Sequence, residues 1–412
     1  MLKPGDLDLA DPNVQVRCSG PPNEYFAMLR REAPIYFNEL TDAGRSETPV
    51  VLDKGFWILT KYADIVAASK DSAVFSSHLG SAILWDPDAD GLATQRAGMM
   101  GMDRPDHTRY RKLVSGGFTP RGVATLEPVI RAAAVDTVDA IAKKGGCDFV
   151  SELAWNLPLT VMCEFMGIPH EDRDLIFELS TTAATPEGRD RESFQGSLLQ
   201  LMAYGVKRAQ EKRVAPDDTL ISKYANADFG GETMTDAEIG TFFVTLSIAG
   251  HETTRNTSNH LMRLLSENPE QKELLLSDID RYLPNAIEEA LRHSPPVMQF
   301  RRTLSVDCEM RGQKMRQGDK IYLSYCSANR DEEVFAEPDR FDITRENAKD
   351  HLAFGSGTHF CMGAQLARTQ LRILFSEILR RLPEIKVVGR PKYLSSLWFN
   401  AIQEMEVEYA PR

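Results

Sequence analysis

Between Thr235 and Asn268 the sequence encodes a helix long enough to cross a whole domain, so the other elements must be arranged around that rod. Thr235-Asp236-Ala237-Glu238 reads as a capping box, in which a hydroxyl and a carboxylate satisfy free amides at the start, and Asn268-Pro269 stops the run. At a rise of 1.5 Å per residue, about 32 residues reach roughly 48 Å. Phe242, Phe243, Val244, Leu246 and Ile248 mark the first half as deeply buried. Directly after them, Ala249-Gly250-His251-Glu252-Thr253-Thr254 sets a weak helix former beside an acid and two hydroxyls. Hydroxyls compete for backbone carbonyls, so a local opening of the helix is expected there. A Glu-Thr-Thr turn ordinarily faces water. Beside so apolar a segment the same groups need partners, and buried groups of this kind concentrate at functional sites.

Cys361 stands in Phe354-Gly355-Ser356-Gly357-Thr358-His359-Phe360-Cys361-Met362-Gly363, ahead of a run of good helix formers that reaches Phe375. Gly355 and Gly357 permit positive φ and let a flat ligand approach the main chain. The thiol falls at or just before a helix N-terminus, where unpaired amides favour a thiolate. A buried structural cysteine would leave the two glycines, the phenylalanine and the helix behind them unexplained. Structural zinc wants four ligands, usually in close pairs, and Cys18, Cys147, Cys163, Cys308 and Cys326 form none to join His359 and Cys361. The arrangement suits an iron ligand.

This segment resembles the heme loop of the cytochrome P-450 superfamily of heme-thiolate monooxygenases. Residues 354–363 match its pattern, Phe-Gly-x-Gly-x-His/Arg-x-Cys-x-Gly, at every specified position. The resemblance implies the cytochrome P-450 fold, mainly α with a small β-rich lobe. It implies one domain over residues 1–412, with strands mostly at 30–65, at 300–330 and near the C-terminus. It implies heme b as cofactor, Cys361 as axial ligand, and Ala249, Phe354, Gly355 and Gly363 against the macrocycle. It gives Glu252 and Thr253 the management of protons for bound dioxygen, and it draws propionate partners from His107, Arg111, Arg302 and His359. His107 and Arg111 share a helical face at i, i+4, whereas Arg301 competes with Arg302 for one place.

Glu289-Ala290-Leu291-Arg292 lies on a short helix entered through Pro284 and stopped before Pro295-Pro296, and i, i+3 spacing allows a bidentate pair. Glu288 is an equally legal partner at i, i+4, and a surface ion pair is the ordinary meaning of such spacing. The resemblance selects Glu289 and adds Arg340, from Pro338-Asp339-Arg340-Phe341, as a structural triad behind the heme loop.

The same resemblance places Ile83, Leu84, Trp85, Thr245, Ile248, Ala249, Val297, Met298, Gln299, Trp398 and Phe399 around a distal pocket. Most are apolar, which implies a hydrophobic substrate positioned by shape, although core packing is the ordinary role of any one of them. Residues 102–111 and 248–256 resemble bacterial members that oxidise sterol side chains, methyl-branched lipids or terpenoids. Small aromatic compounds are the alternative. A peroxide-driven heme enzyme or a heme-based sensor would have no need of the acid and alcohol pair.

A net charge of −12 opposes binding to nucleic acid and to anionic lipid. With no apolar run of roughly 18 residues and no signal-like N-terminus, the expectation is a soluble, cytoplasmic protein without a membrane span. Six scattered cysteines fit a reducing compartment. The sequence holds no flavin or nicotinamide motif, so electrons are expected from a ferredoxin or flavodoxin with its reductase. Arg104, Arg109, Arg111, Lys112 and Arg121 read either as a solvated helix face with propionate contacts or as a docking face for an acidic electron-transfer partner. Val50-Val51-Leu52 and Phe56-Trp57-Ile58-Leu59-Thr60 read as a hairpin, and Lys320-Ile321-Tyr322-Leu323-Ser324 reads as a strand.

Overall fold

The computed structural model describes residues 2–412 apart from 43, 45–51, 53, 87, 185–190, 229, 230 and 232. Its main helices are α1 (Tyr62–Lys70), α2 (Ala89–Ala97), α3 (Asp106–Val114), α4 (Pro120–Ile141), α5 (Asn156–Met166), α6 (Arg173–Ala184), α7 (Arg191–Val214), α8 (Asp236–Glu267), α9 (Ile279–His293) and α10 (Ala364–Arg381). The architecture is mainly α with small sheets. Among the described residues no helix is long and apolar enough to cross a membrane.

The long helix α8 begins and ends where its signals stand. Glu238 donates its amide to the Thr235 hydroxyl at 3.3 Å, and the Glu238 carboxylate accepts from the Thr235 amide at 2.7 Å. The expected opening is absent, because α8 runs unbroken through Gly250. The hydroxyls of Thr253, Thr257 and Ser258 donate to the carbonyls of Ala249, Thr253 and Thr254 at 2.8–3.0 Å. They share those carbonyls with the helical ladder. Gly250 allows close packing instead, since a Cβ there would lie 2.8 Å from Met162 Cγ on α5.

The largest core joins α4, α5, α9 and α10 to the second half of α8, through side chains such as Ile130, Val138, Leu153, Leu261, Leu291 and Phe375. Full burial of each such side chain stabilises by about 1.5–3 kcal/mol. This packing fixes the start of α10, and with it the preceding cysteine loop, against the middle of the molecule. A second core of α5, α6, α7, the first half of α8, Trp398 and Phe399 borders the cavity described below.

A five-stranded sheet has the order β1 (Ile35–Asn38), β2 (Phe56–Leu59), β5 (Lys320–Ser324), β4 (Gln299–Leu304), β3 (Phe75–Ser76). The expected hairpin partner of β2 is corrected: its antiparallel neighbour is β1, with Ile35 opposite Leu59, and its other neighbour is the parallel β5. Phe56, Ile58 and Leu59 are fully buried, which suits a strand with two partners. Val50 and Val51 lie outside the described residues. Along β4 the side chains alternate, so Arg301 and Arg302 emerge on opposite faces.

Candidate active site

The cysteine loop is closed by its own backbone, with the Cys361 amide donating to the Phe354 carbonyl at 2.8 Å. Gly355 and Gly357 have φ of 72° and 67°. A Cβ on Gly357 would lie 2.3 Å from the Ser69 carbonyl oxygen, so the loop sits against α1 too closely for any side chain. Arg111 grips the loop from α3, donating to the Thr358 carbonyl at 3.0 Å and the Phe360 carbonyl at 2.6 Å. From α10, the Arg368 guanidinium lies 4.6 Å from the centre of the Phe354 ring. Burial pushes the Cys361 thiol above its ordinary pKa, and the Gly363 amide, Arg111 and Arg368 offset this only in part. The helix terminus does not by itself outweigh that burial; a metal ion at the sulfur would favour the thiolate.

Cys361 opens onto a cavity of about 770 Å³. Of the residues expected around a distal pocket, Ile83, Trp85, Thr245, Ile248, Ala249, Val297, Trp398 and Phe399 line it. Leu84, Met298 and Gln299 do not. Leu84 and Met298 pack into a separate core with Tyr25, Phe26, Phe56 and Tyr322. Gln299 is fully buried and donates to the Leu397 carbonyl at 3.3 Å. Extended chain alternates its faces, and sequence alone does not reveal the phase. Met99, Met100, Met162, Phe194, Met202 and Phe300 line the cavity without having been anticipated. Phe300 shares a face of β4 with Arg302, a relation visible in the alternation, while the others arrive from distant elements without a motif.

On α8 the acid and the alcohol part company. Thr253 lines the cavity. Glu252 is 1% exposed and turns into a polar cluster, 2.5 Å from Arg255 Nη2 and 3.3 Å from His251 Nε2, with Thr181 of α6 donating to it at 3.3 Å. Burial opposes its ionisation, but Arg255, His251 and Thr181 outweigh burial and hold its pKa at about 2.

Four donors gather beside the cysteine loop. His107, Arg111, Arg302 and His359 all line the cavity. The His107 and His359 rings are 4.3 Å apart, and burial lowers their pKa values to about 4 and about 2. His107 Nδ1 is buried and has no partner among the described residues. Arg301 faces away, towards Trp85 and Asp86. A flat macrocycle with carboxylate arms fits this set, because Arg302 and the unpartnered His107 Nδ1 are donors enclosed at the wall of a mostly apolar space. Phe354, Gly355 and Gly363 also line the cavity.

Behind the loop, Arg292 pairs with Glu289 through two bonds of 2.7 and 2.8 Å, and both side chains are fully buried. The third member of the expected triad is corrected from Arg340 to Arg345, whose Nε reaches Glu289 Oε1 at 3.1 Å. The Arg340 side chain is 57% exposed and faces Glu337 and Asp342. The chain turns through Glu337 at φ 45°, so Arg340 offers its carbonyl, and not its side chain, to Arg292. Glu288, the other legal partner of Arg292, is taken by Arg368 at 2.6 and 2.8 Å.

A cytochrome P450 family model matches residues 189–383. The chain is 37% identical to the steroid C26-monooxygenase of Mycolicibacterium smegmatis, over 98% of its own length and 94% of that protein. The chain belongs to the cytochrome P450 family. This P450 is also 40% identical to the methyl-branched lipid omega-hydroxylase of Mycobacterium tuberculosis, over 93% of this chain and 90% of that one. A Mycobacterium marinum cytochrome P450 solved in complex with pseudoionone is 35% identical, with a TM-score of 0.89 over 99% of this P450 and all of that chain. The fold implied by the cysteine loop is therefore the fold observed. This P450 is a heme-thiolate monooxygenase.

Proposed function

We propose that this P450 binds heme b through Cys361 and hydroxylates the branched side chain of a sterol, a methyl-branched lipid or a terpenoid. Its electrons come from a ferredoxin or flavodoxin with its reductase, in the cytoplasm. The observation that carries the reading is that Cys361 and Thr253 face one cavity whose remaining wall is mostly apolar. The relatives named for steroid and methyl-branched lipid oxidation support the substrate class.

When bound, the heme supplies activation of dioxygen and the oxidising power for C–H cleavage. Cys361 would hold it through its sulfur, while His107, Arg111, Arg302 and His359 would hold its carboxylates. Ile248, Ala249, Val297 and Phe300 exclude water and orient an apolar chain by shape. Thr253 positions a proton at its hydroxyl on the cavity wall. Glu252, behind it, is held ionised by Arg255, His251 and Thr181, so it serves that hydroxyl as a carboxylate that accepts a proton in transit. Arg104, Arg109, Lys112 and Arg121 are exposed, as a docking face for an acidic electron donor requires.

Reduced protein treated with carbon monoxide should show the thiolate-ligated heme spectrum. In spin-state titrations, sterols and branched lipids should bind more tightly than aromatic acids, and turnover with dioxygen and a reductase should yield an alcohol on the side chain. Preferential binding of aromatic acids would overturn the substrate assignment.

A further inference from the structure

Only one of the two adjacent arginines on β4 serves the cofactor in this reading. The geometry points to Arg301 as a positioning residue for substrate selection, which clamps the segment that presents Ile83 and Trp85 to the cavity. This inference rests on the apolar-substrate reading and deepens it.

Arg301 is 5% exposed. Its Nη1 donates to the Trp85 carbonyl at 2.8 Å and meets Asp86 Oδ1 at 2.9 Å, and its amide donates to the Ala82 carbonyl at 2.8 Å. Lys320, on the neighbouring strand β5, pairs with the other Asp86 oxygen and is itself buried. The segment also lies flush against the strand, since a Cβ on Gly80 would fall 2.6 Å from Arg301 Nη2 and 2.4 Å from Thr303 Oγ1. One half-buried carboxylate is thus held by two cations, and the chain on either side of Ile83 is tied to the sheet.

The clamp reaches the cavity through one ring. Trp85 meets Trp398 and Phe194 edge to face, with centroids 6.5 and 6.2 Å apart. All three line the cavity. Three separate parts of the chain, the 80–86 segment, α7 and the segment around Trp398, therefore meet on Trp85. Loosening its backbone anchor moves the wall against which an apolar molecule is fitted. A guanidinium bridges a carbonyl and a carboxylate at once, while an ammonium acts as a single point charge, so Arg301→Lys keeps the charge and removes the bridge.

The test compares heme-bound wild type, Arg301→Lys, Trp85→Ala and the double variant. Arg301→Lys should leave the reduced carbon monoxide spectrum unchanged, raise amide hydrogen exchange across residues 80–86 and weaken the spin-state titration by cholesterol about tenfold. In the Trp85→Ala background the same substitution should change cholesterol affinity by less than about twofold, because the ring that transmits the effect is gone. Unchanged exchange across 80–86 overturns the inference, as does an equal loss of affinity with and without Trp85. If cholesterol fails to shift the wild-type spin state, the sterol part of the substrate reading falls, and exchange alone decides the clamp. Should Arg301→Lys not fold, Asp86→Asn releases one end of the clamp and must raise exchange in the same segment.

Discussion

Arg345 donates through Nε to Glu289 Oε1 at 3.1 Å and so closes the buried cluster that Arg292 opens. Glu289 also accepts the Asp342 amide at 3.0 Å, which ties the loop after residue 337 to α9. Without Arg345 the carboxylate keeps Arg292 and loses one charge-assisted bond. Arg345→Ala should therefore cost about 1.5–3 kcal/mol and reduce heme retention. Arg340→Ala, at an exposed position, should stay within about 0.5 kcal/mol. Chemical denaturation of the two variants side by side checks the assignment.

Glu252 makes stability depend on acid. Its folded pKa, about 2, lies below its ordinary value of 4.5, so the folded state favours the ionised form. The contribution is fully present above the ordinary value and is lost as pH falls through about 2. Its size is about 3 kcal/mol. Glu252→Gln should flatten the fall in stability between about pH 5 and pH 2. Arg255→Gln should move that fall to higher pH, because the principal cation that favours the carboxylate is gone.

Thr253→Ala should leave heme content and substrate affinity near wild type while the yield of product per electron falls by about tenfold or more. Peroxide should take up the difference. Measuring reductant consumed, peroxide formed and alcohol formed in one experiment decides the matter, and undiminished coupling would remove the hydroxyl from proton delivery.

Cys361→Ser should abolish the thiolate-ligated carbon monoxide spectrum. A retained spectrum would mean that another residue holds the iron.

Motifs whose geometry is local could be read from the chain. The ends of α8 follow from a capping box and an Asn-Pro stop, and the positive φ of Gly355 and Gly357 follows from a loop that has to turn tightly. Arg292 is one helical turn from Glu289, but spacing left Glu288 equally legal and the family resemblance made the choice. Arg345 was not legible, because whether residue 340 or 345 reaches the carboxylate depends on a turn at Glu337 that no spacing rule encodes. Leu84 and Gln299 were misplaced because alternation shows that neighbours point apart without showing which one points inward, and Met298, just before β4, packs into another core outside that alternation. Thr181, which holds Glu252 from α6, became visible only once α6 had packed beside α8, whereas Arg255 stands one helical turn away and was open to the spacing rule.

Two guanidiniums on successive residues make β4 intolerant of slippage. Paired with β5 in the observed register, where Arg301 stands opposite Tyr322 and Arg302 opposite Ile321, each charge has its own side of the sheet. A shift by a single residue would exchange them, carrying one cation out of the prosthetic-group site and driving the other into it. A deletion in this strand would therefore impair pigment retention and ligand discrimination together, as one error of phase, which point substitutions at either arginine would separate.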